Sequence, residues 1–272
     1  MAEHRLCIYM SAYDPYKDLF DIFMQQFEKY WPDCPYPLVI SNMYFEYERE
    51  NTIVIHCGDM KNASERKKYA IRAVDADYYL GMEEDRVFMD RIDTVEIEKI
   101  LDFMDKKNVP YFRCNASIFK KKEIDRFKGY EHYYHIPAKE PYGVCGSTVI
   151  WRKDLLFQRE KDNTDNGYNW ESFQNKRAAL SNEKWVENNF ATDDRNVFNI
   201  LHCVEKQKWI ASAKRKIQKE GYVIEKQSRN VETFYETLVL HIKDLFKRFP
   251  GKTRYRIKKA LKKLGFHFET DY

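Results

Sequence analysis

Short apolar runs alternate along this chain with longer stretches whose apolar residues recur every three or four positions. Leu6-Cys7-Ile8-Tyr9-Met10-Ser11 is continuous enough to be a buried strand. After the turn Ser11-Ala12-Tyr13-Asp14-Pro15-Tyr16, residues Leu19, Phe20, Phe23, Phe27 and Tyr30 fall on one helical face, so Tyr16 to Tyr30 is predicted to be a helix. Trp31-Pro32-Asp33-Cys34-Pro35 ends it. Pro37 to Asn42 and Thr52 to His56 read as second and third strands. Ser64 is expected to cap a helix from about Glu65 to Ala76, and the run from Asp77 gives a fourth strand. Val95 to Met104 is helical, with Ile97, Ile100, Leu101 and Met104 on one side, and Tyr111 to Cys114 is strand-like. Strands alternating with helices of this length predict an α/β layer with a largely parallel sheet.

The second half is less regular. Gly143 to Asp154 reads as a strand passing into a short helix. Asp162 to Asn169 is a polar loop leading to Trp170-Glu171 and a helix through about Leu180. Glu205 to Ile210 and Ala211 to Glu220 precede Gly221-Tyr222-Val223-Ile224. From Val231, residues Phe234, Leu238, Ile242, Leu245 and Phe249 mark a helix that Pro250-Gly251 breaks. Ile257, Leu261 and Leu264 then share one face of a short basic helix, with Gly265 placed to cap it.

The fourth strand carries the candidate chemistry. Asp77-Tyr78-Tyr79-Leu80-Gly81-Met82 runs directly into Glu83-Glu84-Asp85. Three adjacent acids repel one another unless a cation sits among them. Oxygen ligands of this kind suit Mg2+ or Mn2+, the first as a partner of phosphates. Ligands in open α/β sheets bind beyond the carboxyl ends of the strands, and Ser11, Asn42, Asp59 and Glu83 to Asp85 all lie at such ends. Strand alternation turns Glu83 away from its neighbours and leaves Asp85 as the first choice for metal or diphosphate contact, with Glu84 beside it. The plain alternative is that these acids pair with Arg86, Arg66 or Arg72 at the surface.

Composition narrows the picture. The 272 residues are 43% hydrophobic and 16% aromatic, enough for one well-buried domain with an appendage and unlike a disordered or repeat protein. Six scattered cysteines without C-x-x-C spacing argue against zinc, and with no export signal they are expected to be reduced thiols. No run of 18 apolar residues is present, so no spanning helix is expected. The net charge of +4 hides an asymmetry: residues 243 to 263 hold ten Lys/Arg and one acid, which leaves the remainder about −5. A basic helix with an Ile/Leu stripe suits an anionic membrane surface, with Lys258, Lys259, Lys262 and Lys263 as contacts. Nucleic acid is the rival polyanion, but no nucleic-acid module is recognisable.

Four segments in order carry a resemblance to a known family: the first strand with Ser11-Ala12-Tyr13-Asp14 and Asp18; Gly58-Asp59 through Ser64-Glu65-Arg66 to Glu83-Glu84-Asp85-Arg86; Ser147 to Leu155 followed by Trp170-Glu171; and Val204 to Trp209 with Gly221 to Ile224 and Arg229. Over residues 5 to 230 the chain resembles bacterial GT-A fold glycosyltransferases of capsule and O-antigen polysaccharide assembly. Ala63 stands where that family usually has Trp, and Glu83-Glu84-Asp85 replaces a literal D-x-D.

The resemblance implies a Rossmann-like, mostly parallel sheet flanked by helices over residues 1–230, with a basic helical, membrane-proximal extension over 231–272. It implies transfer of a sugar from a nucleotide-sugar donor to a saccharide acceptor on a lipid carrier, with inversion, at the inner face of the cytoplasmic membrane. Tyr13 and Asp14 would frame base and ribose, Asn42 and Asp59 would read the base edge, and Ser11 would join them at the donor; turn chemistry is an equal alternative for the first four, since Asp and Asn favour turns. Arg66, with Lys61 as a weaker candidate, would meet the diphosphate. Asp85 and Glu84 would hold a divalent cation, Mn2+ or Mg2+. Glu171 would be the general base, Asp154 its runner-up, and Trp170 an acceptor contact or a core residue. Other readings of the same acids are a metal-dependent phosphotransferase or nuclease; a non-enzymatic reading is a membrane or nucleic-acid adaptor driven by the basic tail.

Overall fold

A computed structural model describes residues 2–60, 62–115, 125–136, 143–162, 189–224, 229–238, 241 and 251–263. The chain divides into two compact units, residues 1–117 with 121–203, and residues 118–120 with 204–272.

The larger unit is built on an eight-stranded sheet. Its strands are β1 (His4–Ser11), β2 (Leu38–Asn42), β3 (Thr52–His56), β4 (Ala76–Met82), β6 (Tyr111–Arg113), β7 (Tyr133–His135), β8 (Val149–Arg152) and β9 (Phe190–Asp193), in the order β3-β2-β1-β4-β8-β6-β9-β7. The run β3-β2-β1-β4 is parallel throughout, and β6–β9 is parallel as well. β8 enters antiparallel between β4 and β6, and β7 closes the far edge antiparallel to β9. The expected α/β layer with a mostly parallel sheet is therefore present. The inner strands read as continuous apolar runs because helices cover both faces of such a sheet.

Helices α1 (Lys17–Tyr30), α2 (Ala63–Ala70), α3 (Thr94–Lys107) and α4 (Lys153–Asp162) accompany the sheet. α1 buries Leu19, Phe20, Phe23 and Phe27, the stripe predicted from its periodicity. α2 differs from expectation at both ends. Asn62, not Ser64, is its cap, with the Asn62 side chain accepting from the Ser64 backbone N–H. It ends at Ala70 because Ala76 is already paired with His4 as the start of β4. α3 runs past Met104 to Lys107, between an Asp93 cap and a left-handed Asn108.

A short ribbon pins the chain just after the acids. β5 (Arg86–Phe88) pairs antiparallel with β10 (Ile200–His202), setting Arg86 opposite His202. Phe88 packs against Phe23, Phe27 and Phe198, with ring centres 5.3, 5.9 and 6.0 Å apart. The turn at Glu83–Asp85 is thus held between a buried strand and an aromatic cluster.

The smaller unit contains the hairpin β11 (Val204–Glu205) and β12 (Lys208–Trp209), then α5 (Ala211–Lys219) and the basic helix α6 (Gly251–Lys263). The helix expected from Val231 is described over 234–238 and at His241. It begins where Thr233 and Glu236 form a reciprocal cap: the Thr233 N–H donates to the Glu236 carboxylate at 2.8 Å, and the Glu236 N–H donates to the Thr233 hydroxyl at 3.3 Å. Among the described residues no helix is long and apolar enough to cross a membrane.

Candidate functional site

Four parallel strands deliver their carboxyl ends to one edge of the sheet, and the loops that follow build a polar cluster there. The turn after β1 supplies Tyr13 and Asp14. Both Asp14 oxygens accept backbone N–H groups from the loop after β2, from Met43 at 2.7 Å, Tyr44 at 2.9 Å and Phe45 at 3.2 Å. Asn42 is fully buried; its Nδ2 donates to the Phe45 carbonyl at 2.7 Å and its Oδ1 lies 3.0 Å from His56 Nδ1. For Asp14 and Asn42 both nucleotide contact and turn chemistry were open. In the structure their side chains order the loop after β2, because successive N–H groups left bare at a strand end need acceptors. Asp59 is exposed after the left-handed turn at Gly58 and shares a hydrogen bond with the Tyr44 hydroxyl, which raises the Tyr44 pKa. Ser11 donates to the Ala63 carbonyl at 2.9 Å, tying the end of β1 to the start of α2.

α2 supplies Arg66. Its side chain is 1% exposed. Nη1 donates to the Met60 carbonyl at 2.7 Å, the guanidinium lies 5.5 Å from the centre of the Tyr13 ring, and Nε has no hydrogen-bond partner. Burial lowers the Arg66 pKa, against the opposing pull of the Glu84 charge. A buried guanidinium with an unsatisfied donor is costly unless an acceptor reaches it.

The three acids have three different environments. Glu83 Oε2 pairs with Arg86 Nε at 2.7 Å, which accounts for one acid by the plain surface alternative. Glu84 is buried, and Oε1 accepts the Tyr13 N–H at 3.1 Å. Burial and then the neighbouring Asp85 charge push its pKa up to about 8, although the N–H bond from Tyr13 works the other way. Asp85 stands half-buried, its Oδ2 3.3 Å from His202 Nε2, while its carbonyl accepts the Cys203 N–H at 2.8 Å. His202 was not anticipated. It sits in a three-residue strand with no alternation of its own, and only the β5–β10 pairing brings it to Asp85.

Tyr13, Arg66, Glu84 and Asp85 are therefore brought together, with Ser11 at the edge and Asp59 on the rim. Lys61, Trp170 and Glu171 lie outside the described residues. Asp154 is turned to other work, in a bidentate pair with Arg152 at 2.8 and 2.9 Å that holds its carboxyl below the usual range. His132 pairs with Asp194 at 3.0 Å, away from the acids on the β7 side.

A cation would find Asp85 and His202 as its protein ligands here. Among the described residues no group of three His, Cys, Asp or Glu converges on one point. Asp85 supplies the oxygen ligand that Mg2+ or Mn2+ prefers and His202 the softer imidazole, so phosphate oxygens would have to complete the shell. A buried, proton-holding Glu84 fits that role poorly.

This fold is similar to that of S. aureus TarS. With TarS 1–349 in complex with UDP-GlcNAc the TM-score is 0.50 at 10% identity, over 93% of this chain and 70% of that one. With TarS 1–349 in complex with UDP it is 0.48 at 10% identity, over 71% and 59%. With the S. aureus TarS structure that is matched over only 38% of its length, it is 0.49 at 11% identity. The chain thus spans less than two thirds of the length of these last two. No protein-family model matches the chain, and no curated protein does. At such identities the likeness is one of architecture, the GT-A-type sheet expected from the sequence.

Proposed function

We propose that the strand-end cluster binds the diphosphate of a nucleotide-sugar and that the protein is a glycosyltransferase. The observation that carries this reading is Arg66, buried beside Tyr13 with an unsatisfied Nε at the carboxyl edge of a sheet shaped like that of TarS, whose structure holds UDP-GlcNAc. The acceptor is a saccharide, lipid-linked, in surface polysaccharide assembly at the inner face of the cytoplasmic membrane, and the transfer inverts the anomeric centre.

In that reaction the acceptor oxygen forms a bond to the anomeric carbon while the bond from that carbon to the phosphate oxygen breaks. The electron pair leaves with the diphosphate, and the acceptor proton goes to a carboxylate, for which Glu171 is the candidate. Arg66 stabilises the charge that grows on the diphosphate, and Tyr13 walls the donor side. A divalent cation held by Asp85 and His202 would add Lewis-acid stabilisation to the same oxygens. Glu84, holding its proton at neutral pH, adds no charge against an incoming anion.

Isothermal titration of the intact chain with UDP, UDP-GlcNAc and other nucleoside diphosphates, with and without Mn2+, tests the reading. Binding of at least one ligand is expected. Arg66→Ala should weaken it by roughly ten- to a hundredfold, the range for losing a charge-assisted hydrogen bond. Asp85→Ala should weaken it more in Mn2+ than in chelator. Binding of no nucleotide or sugar nucleotide would overturn the proposal.

A further inference from the structure

The smaller unit carries a surface that the donor site does not use. Among the described residues, ten large hydrophobic side chains are exposed, and six of them, Val223, Val231, Phe234, Tyr235, Leu238 and Tyr255, belong to this unit. Three sit together by helical spacing. Phe234, Tyr235 and Leu238 lie within one turn, at positions that share a face, and are 86%, 70% and 45% exposed. The Thr233–Glu236 cap fixes the start of that turn, and Lys208 Nζ holds Glu236 at 2.6 Å, so the orientation is built rather than frayed.

The same unit carries α6, which has seven Lys/Arg and no acid in 13 residues. Arg256, Lys259, Lys262 and Lys263 are exposed, while Ile257 and Leu261 are half-buried. Exposed aromatic and aliphatic groups in the same unit as a cationic helix answer two features of one partner, an apolar phase beneath an anionic layer. Phosphate-rich nucleic acid answers only the charge. Bases stack on Tyr and Phe faces, but an aliphatic Leu238 or Val223 gains nothing from stacking.

We propose that α6 and the turn carrying Phe234, Tyr235 and Leu238 dock the protein on an anionic lipid bilayer, with the α6 cations at the phosphate headgroups and the three apolar side chains at the acyl boundary. The proposal rests on no residue of the donor site.

The test is co-sedimentation of the full chain with phosphatidylcholine vesicles, with and without phosphatidylglycerol. Partition into the anionic vesicles and not the neutral ones is expected. Lys259→Gln/Lys263→Gln removes two exposed charges and should lower the partition coefficient on the order of thirtyfold. Phe234→Ser/Tyr235→Ser leaves the charge unchanged and should lower it at least about tenfold. Both pairs are surface changes, and circular dichroism melts matching the parent show that they fold. Equal binding to neutral vesicles, no binding to either kind, or a duplex oligonucleotide held more tightly than anionic vesicles would overturn the proposal. So would the Phe234/Tyr235 variant binding like the parent. Titration with UDP reports separately on the donor site.

Discussion

Glu84 is the residue whose state the fold controls most closely. It is buried between the Tyr13 backbone and Asp85, and its carboxyl titrates near pH 8 instead of its ordinary 4.5. Between those values the folded chain holds a proton that the unfolded chain has lost. Stability must therefore fall as pH rises from about 4.5 to 8 and level off above that. Glu84→Gln keeps an oxygen to accept the Tyr13 N–H and removes the titration. It should be more stable than the parent at pH 9, by an amount on the order of a few kcal/mol, with a much smaller gap at pH 5. Thermal melts of both proteins from pH 5 to 9 in chelator check this, and parallel curves would show that Glu84 does not carry the proton. The acid run was legible in the sequence, but β4 ends at Met82, and it is the Arg86 pair, not strand alternation, that sets Glu83 apart from Asp85. Alternation could not tell which acid would be buried. That depends on the Tyr13 N–H, supplied by a turn some seventy residues earlier.

At the scale of elements, β4 works because it is narrow at one point. Gly81 sits between β1 and β8, and a Cβ there would come within 2.6 Å of the Gly146 carbonyl and 2.8 Å of the Tyr9 hydroxyl. The tyrosine tip can shift, but the carbonyl belongs to backbone leading into β8. Gly81→Ala should destabilise the protein by about 1–3 kcal/mol, seen as a lower denaturant midpoint with an unchanged slope. The first four strands were legible because each is a continuous apolar run bounded by turn residues. The β5–β10 ribbon was not, since three-residue strands carry no period and their pairing is settled by the Phe88 cluster. Asp14 and Asn42 stood open between nucleotide contact and turn chemistry for the same reason. A polar side chain at a strand end looks alike whether it meets a ligand or the next loop's N–H groups, and only the fold brings the 43–45 backbone to Asp14.

At the scale of the whole molecule, the charge asymmetry of the sequence divides between two compact units. The strand-end acids and Arg66 lie in the larger, and the cationic α6 and the exposed Phe234 turn lie in the smaller. The two sets share no residue, and independent sites contribute additively. Lys259→Gln/Lys263→Gln should therefore leave UDP affinity within about twofold of the parent while vesicle binding collapses. Arg66→Ala should do the reverse. The double-mutant cycle across both pairs of measurements should close with a coupling near zero, within about 0.5 kcal/mol. A larger coupling in UDP titrations run with anionic vesicles present would mean that lipid docking changes the donor site, so that the membrane acts as an effector as well as an address.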